Sequence, residues 1–176
     1  YRYDEPQFGR SREFWQANYE LFGTSRPEAD VEIITLTTHL LDTVGLHYYL
    51  KIGHVGILRG ILSQENIPET QQNQIMQLLD KKQWNQALEA ARSLDASQQT
   101  RGRDTSNIIH KILQTVKNYE GAVKAAQNLQ EIMELTKNSG IKSETLIEAG
   151  FARGLEYYTG MIFEPYIPEL ERAGLA

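Results

Sequence analysis

Chemically versatile side chains crowd the start of the chain, in the run YRYDEPQFGRSREFWQANYELFG. Its arginines could hold a polyanion, because guanidinium groups bind phosphate oxygens in bidentate geometry. Phe14 could stack on a flat base, while Gln16 and Glu20 could receive a small polar molecule with a cationic group. This set suits a nucleotide beside an amino acid. A surface hairpin whose charges pair with one another is the alternative.

A second run, RGLEYYTG at residues 153–160, combines an arginine, two glycines and two adjacent tyrosines. A tight loop of this kind could present Arg153 and the phenol hydroxyls of Tyr157 and Tyr158 to a ligand. The alternative is a glycine-containing turn whose tyrosines pack in an interface.

Several classes of site are excluded by the sequence. It contains neither a G-x-x-x-x-G-K-[ST] loop nor a G-x-G-x-x-G fingerprint. There is no cysteine, which excludes thiolate metal sites and fits a cytoplasmic protein. We expect no metal site, because His39, His47, His54 and His110 lack ligand spacing and suit structural or solvent roles. The net charge of −5 argues against indiscriminate coating of nucleic acid.

The first run must be positioned by local structure, and its pattern predicts strands over residues 1–6 and 12–23 around a loop containing Gly9. Side chains alternate between the two faces of a strand. One predicted face is polar between two phenylalanines, and it carries Phe14, Gln16, Asn18, Glu20 and Phe22. The opposite face is predicted to join the core, and it carries Trp15, Ala17, Tyr19 and Leu21.

Helices and strands then follow in turn. A helix is predicted over 28–44, ended by Gly45, with a buried stripe of Ile33, Leu36, Leu40, Leu41 and Val44. Further strands are predicted at 46–53, 145–152 and 161–167, and no structure is expected at the end of the chain. Helices are predicted at 54–64, 69–79, 83–93, 104–118 and 121–138.

These elements predict an α+β protein in three parts. Residues 1–63 and 145–176 form the β-rich core, and residues 64–144 form an inserted helical subdomain. Basic residues of the insert, densest in TRGRDTSN at 100–107, could contact RNA phosphates or lie on an ordinary solvated helix face.

Together the two runs resemble a known family. The first is similar to motif 2 of class II aminoacyl-tRNA synthetases as histidyl-tRNA synthetases have it, and FARGLEYYTGMIFEPY resembles their histidine-specific signature. The resemblance implies part of the class II antiparallel sheet with flanking helices. It also implies that motif 1 precedes residue 1 and that motif 3 follows residue 176, so that these residues alone are an inactive fragment of the catalytic domain.

The resemblance also implies roles for the matching residues. Arg2 and Arg153 would face the α-phosphate of ATP from opposite sides, as the catalytic pair. ATP would also be contacted by Asp4, Arg10, Arg12 and Phe14, with Phe14 stacked on adenine. Histidine would be held by Gln16, Glu20, Tyr157 and Tyr158.

The implied reaction is the activation of histidine by ATP and its transfer to tRNA(His). Mg²⁺ is implied with the ATP, and a homodimer is implied for the full-length protein. A synthetase-like regulatory subunit of ATP phosphoribosyltransferase, in histidine biosynthesis, is the alternative in the same fold. A helical interaction module built on the insert would leave the two flanking motifs unexplained.

Overall fold

A computed structural model describes residues 12–83, 85–87, 101–151 and 158–172. The predicted strand over 1–6 and most of the predicted helix over 83–93 therefore lie outside the described residues. The described helices are α1 Pro27–Thr43, α2 Val55–Gln64, α3 Glu69–Asp80, α4 Thr105–Val116, α5 Glu120–Asn138 and α6 Pro168–Arg172. The described strands are β1 Tyr49–His54, β2 Arg101–Gly102, β3 Thr145–Glu148 and β4 Met161–Tyr166.

The four strands form one mixed sheet in the order β2-β3-β1-β4. The central strand β1 pairs in parallel with β3, where Ile52 lies opposite Ile147, and antiparallel with β4, where His54 lies opposite Met161. The predicted α+β class is confirmed. The strand predicted at 46–53 begins three residues later and ends one residue later, and the strand predicted at 161–167 ends one residue earlier.

Helices cover one face of the sheet, and a single apolar core lies between these helices and the sheet. Leu50 and Ile52 point from β1 into this core and are fully buried, as is Leu129 of α5. The same core takes in residues from both sides of the predicted divisions at 64 and 144. Those divisions stay a prediction.

Two glycines, Gly60 of α2 and Gly121 of α5, let these helices cross in close contact. A Cβ added to Gly60 would lie 2.3 Å from the backbone nitrogen of Ala122 and 2.6 Å from the carbonyl carbon of Gly121. No side chain larger than hydrogen fits at residue 60 without moving backbone atoms. The crossing brings α5 against the end of β1, where the candidate site lies.

The other face of the sheet carries an ion pair beside aromatic rings. Lys51 of β1 lies 3.6 Å from Glu148 of β3, and both side chains are largely buried. The Lys51 ammonium also lies 4.2 Å from the ring centre of Tyr166. The Tyr166 ring stacks on Tyr49 with 5.6 Å between ring centres.

The predicted extent of the first helix is confirmed within one residue at each end, but its predicted buried stripe is wrong. Leu36, Leu40 and Val44 are exposed, whereas Val31, Ile34 and Thr38 are buried. Burial of Thr38 leaves no donor unsatisfied, because its hydroxyl donates to the carbonyl oxygen of Thr35, 2.9 Å away. Apolar residues span a wide arc of α1, and the packing against α5 decides which side of that arc is covered.

The prediction of a strand over 12–23 is wrong. Residues 12–26 have no regular secondary structure, and the predicted core face is exposed, with Trp15 99% accessible. A strand exists through the partner that its backbone groups bind. No described strand pairs with this segment. The hydroxyl of Tyr19 is instead hydrogen-bonded to the hydroxyl of Thr37 on α1. At the other end, α6 replaces the predicted absence of structure.

Candidate active site

The candidate site is a cavity of about 370 Å³ between α1, α5 and the residues that precede β4. Its wall carries hydroxyl, amide, guanidinium and carboxylate groups. The lining residues are Thr24, Ser25, Arg26, Ala29, Asp30, Asn128, Tyr158, Thr159, Gly160 and Met161. The cavity therefore joins the residues that directly follow the first run to the end of the second.

Helix α1 supplies the acidic side of the cavity. Asp30 lies in its first turn, where a carboxylate faces the positive end of the helix dipole. Burial raises the pKa of the Asp30 carboxyl, because the charged form loses hydration. Beside it, Arg26 binds Glu28, and hydrogen bonds from the backbone and from Arg26 lower the pKa of the Glu28 carboxyl.

Asn128 and Met161 of the cavity wall contact the junction between β1 and α2, which His54 organises. The backbone N–H of Gly56 donates to Nδ1 of His54 over 3.0 Å, so the imidazole caps the N-terminus of α2. The proton of the neutral ring is then on Nε2, which donates to Oδ1 of Asn128 over 3.1 Å. Burial lowers the pKa of His54, because the imidazolium form would lose hydration.

The residues after the second run are tied to the same junction. The backbone N–H of Val55 donates to the carbonyl oxygen of Gly160 over 3.0 Å, and Met161 pairs with His54 across the two strands. Tyr158, two residues before Gly160, is half-buried and packs on the core. Gly160, two residues after Tyr158, is thus held at the start of α2.

The structure brings only part of the predicted site together. Tyr158 lines the cavity, whereas Arg12, Phe14, Gln16 and Glu20 are exposed in the preceding segment and do not line it. The amide of Gln16 donates to the side-chain oxygen of Asn18. Five predicted site residues lie outside the described part of the chain: Arg2, Asp4, Arg10, Arg153 and Tyr157.

Sequence reasoning missed Asn128 and Asp30 as cavity residues and gave His54 only a structural role. Asn128 has one detectable signal: it is polar at the edge of an apolar stripe, three residues after Ala125 and four before Ile132. Asp30 has no comparable signal, since an acid in the first turn of a helix is expected for electrostatic reasons alone.

Neither a metal cluster nor a membrane-spanning helix is present in the described residues. They contain no group of three or more His, Asp or Glu side chains that could hold a metal ion. The Mg²⁺ that the resemblance implies stays a prediction, and we assign no step to it. Within the same ranges, no helix combines the length and apolarity needed to cross a membrane.

Known proteins resemble this chain along nearly all of its length. A sequence model of histidyl-tRNA synthetase matches residues 1–175. A histidine–tRNA ligase from Methanococcus aeolicus is 34% identical over 177 residues, which cover 94% of this chain and 41% of the relative. The chain thus spans about two fifths of the length of that relative.

Solved structures share the fold. Histidyl-tRNA synthetase from Nostoc sp. PCC 7120 superposes with a TM-score of 0.72 at 20% identity, covering 86% of this chain and 39% of that one. An ATP phosphoribosyltransferase regulatory subunit/histidyl-tRNA synthetase from Bacillus halodurans C gives 0.69 at 22% identity, covering 82% and 40%. Sequence and fold agree, and the chain belongs to the histidyl-tRNA synthetase family.

Proposed function

We propose that the full-length protein containing this chain is a histidine–tRNA ligase, and that these residues form part of its catalytic domain. The observation that carries the proposal is the family match over residues 1–175, which includes both motif runs. The cavity supports it, because Tyr158 of the histidine-specific run meets Thr24 and Ser25, which follow the motif 2 run, in one wall.

In the proposed reaction, a carboxylate oxygen of histidine attacks the α-phosphorus of ATP. A new P–O bond forms, the bond to the β-phosphate oxygen breaks, and pyrophosphate leaves with its electron pair. The histidyl group of the adenylate then passes to a hydroxyl of the tRNA 3′ end, and AMP leaves. Such chemistry depends mainly on positioning and on neutralising charge at phosphorus.

The proposed roles divide between the two runs. Arg2 and Arg153 flank the α-phosphate, and Phe14 stacks on adenine while Asp4 lies near it. Arg10 and Arg12 belong to a loop that faces ATP and the acceptor end of tRNA(His). Histidine is held by Gln16, Glu20, Tyr157 and Tyr158. The exposure of Gln16 and Glu20 leaves both side chains open to a ligand.

Histidine-dependent ATP–pyrophosphate exchange by the full-length protein tests the proposal. We expect exchange that requires histidine and no other amino acid. Glu20→Ala should raise the KM for histidine at least tenfold and leave the KM for ATP within twofold, because its carboxylate contacts only the amino acid. Arg153→Ala should abolish exchange. Exchange within threefold of wild type in Arg153→Ala contradicts the arginine assignment.

A regulatory subunit of ATP phosphoribosyltransferase is the second candidate. It is favoured by the structural relative whose name combines that regulatory subunit with histidyl-tRNA synthetase. A folded full-length protein that shows no histidine-dependent exchange, but that stimulates a phosphoribosyltransferase, would establish this candidate in place of the first.

A further inference from the structure

The junction of β1 and α2 contains a buried histidine where a smaller side chain would serve as a cap. Asn, Asp and Ser are the preferred residues at the N-cap of a helix. His54 fulfils the same task through Nδ1, and it is 7% exposed, so its ring is buried with two polar atoms to satisfy. The imidazole is longer than those residues, and its additional reach places Nε2 on Asn128 of α5.

Asn128 in turn belongs to the wall of the cavity that Tyr158, Thr159 and Gly160 also line. The next backbone N–H after His54, that of Val55, holds the carbonyl oxygen of Gly160. One short path of hydrogen bonds therefore runs from α5, through His54, to the residues that follow Tyr158. It joins three elements that are far apart in sequence.

We propose that His54 and Asn128 are a pair of positioning residues that fixes Tyr158 for histidine binding. The pair fixes the start of α2 against α5, and the bond from Val55 to Gly160 transmits that position to the loop carrying Tyr158. Neither residue needs to touch a substrate. The inference rests on the proposed function, because Tyr158 is assigned there to the histidine pocket.

Two substitutions break the pair from opposite sides. His54→Asn keeps a side-chain oxygen that can cap α2 but is too short to reach Asn128. Asn128→Leu keeps the approximate volume but removes the acceptor. Each should raise the KM for histidine at least about fivefold, the effect of losing one hydrogen bond of ordinary strength. The kcat and the KM for ATP should stay within twofold.

The double variant supplies the readout that two unrelated structural defects would not give. Because both substitutions break the same bond, His54→Asn with Asn128→Leu should have the KM for histidine of either single variant. Gln127→Leu is the matched control, since it makes a similar change on an exposed position of α5 and should leave every constant unchanged. If Asn128→Leu does not fold, His54→Asn retains the cap and carries the test.

Steady-state ATP–pyrophosphate exchange on the full-length protein distinguishes the outcomes. An active wild type with unchanged single variants overturns the positioning pair and leaves the proposed function intact. Additive effects in the double variant, or equal losses for histidine and ATP, also overturn it. A wild type without exchange refutes the proposed function, and calorimetric histidine binding by the same variants then decides the inference. Wild-type protein that binds no histidine overturns both.

Discussion

The β1–α2–α5 junction and the segment before α1 both contain large apolar side chains, which reach opposite ends of the range of burial. At the junction, Leu58 is fully buried, and both ring nitrogens of the buried His54 are hydrogen-bonded. In residues 12–26, Trp15 is 99% and Phe22 81% exposed. An alternating pattern therefore indicates which side chains could be buried, whereas packing against a partner element determines which of them are buried.

The two regions also divide the candidate site between them. The segment supplies the side chains proposed to contact histidine and adenine, and the junction is proposed to position the loop from which Tyr158 extends. Ligand contacts are commonly placed on loops held by a rigid scaffold. Substitutions in the junction should therefore act on stability and positioning, and those in the segment should act on binding alone.

Gly60→Ala should have a large effect on stability, because the new methyl group meets the backbone nitrogen of Ala122 at 2.3 Å. Overpacking against atoms that cannot rotate away should lower the free energy of unfolding by about 3 kcal/mol. Gly121→Ala is the control across the same crossing, since its nearest contact is 3.2 Å and alanine favours helix. Urea unfolding of the 176-residue chain measures both. Equal losses would mean that the two helices separate freely.

Lys51→Ala should come next, with a loss of about 2 kcal/mol in unfolding free energy. The substitution leaves Glu148, whose side chain is 12% exposed, without its cation. The exposed pair of Arg103 and Glu144 is the matched control, and Arg103→Ala should cost less than about 1 kcal/mol. Adding Glu148→Gln to Lys51→Ala should recover part of the loss. No recovery would assign the effect to the contact with Tyr166 instead.

His54→Asn should change how stability depends on pH. Because burial lowers the pKa of His54 below 6.5, the unfolded chain binds a proton that the folded chain excludes. The free energy of unfolding should then fall as the pH drops below about 6.5, by at most about 1.4 kcal/mol per pH unit. The variant should lose this dependence. Thermal unfolding from pH 5 to 8, compared between the two proteins, checks it, and parallel curves would contradict a buried neutral His54.

The reach of sequence reasoning differs between the same two regions. The extent of α1 is read from Pro27 at its start and Gly45 at its end, where φ is 73°. The buried side of α1 cannot be read from the sequence, because Thr38 is a polar residue that is buried only with its hydroxyl hydrogen-bonded within the helix. Asn128 and His54 lie 74 residues apart, and nothing local in either sequence context specifies that they meet.

Trp15→Ala should have the smallest effect on stability and therefore gives the sharpest test of the comparison. A side chain that is 99% exposed buries almost no apolar area in the folded chain, so its removal withdraws almost no hydrophobic stabilisation. We expect the unfolding free energy of the 176-residue chain to change by less than about 0.5 kcal/mol. Leu58→Ala, in the junction, should cost about 3 kcal/mol by the same measurement, because it leaves a cavity in the core. A loss above about 1 kcal/mol for Trp15→Ala would mean that the segment packs in solution as the alternating pattern predicts. The segment and the junction would then both be buried, and they would differ only in whether their strands are paired.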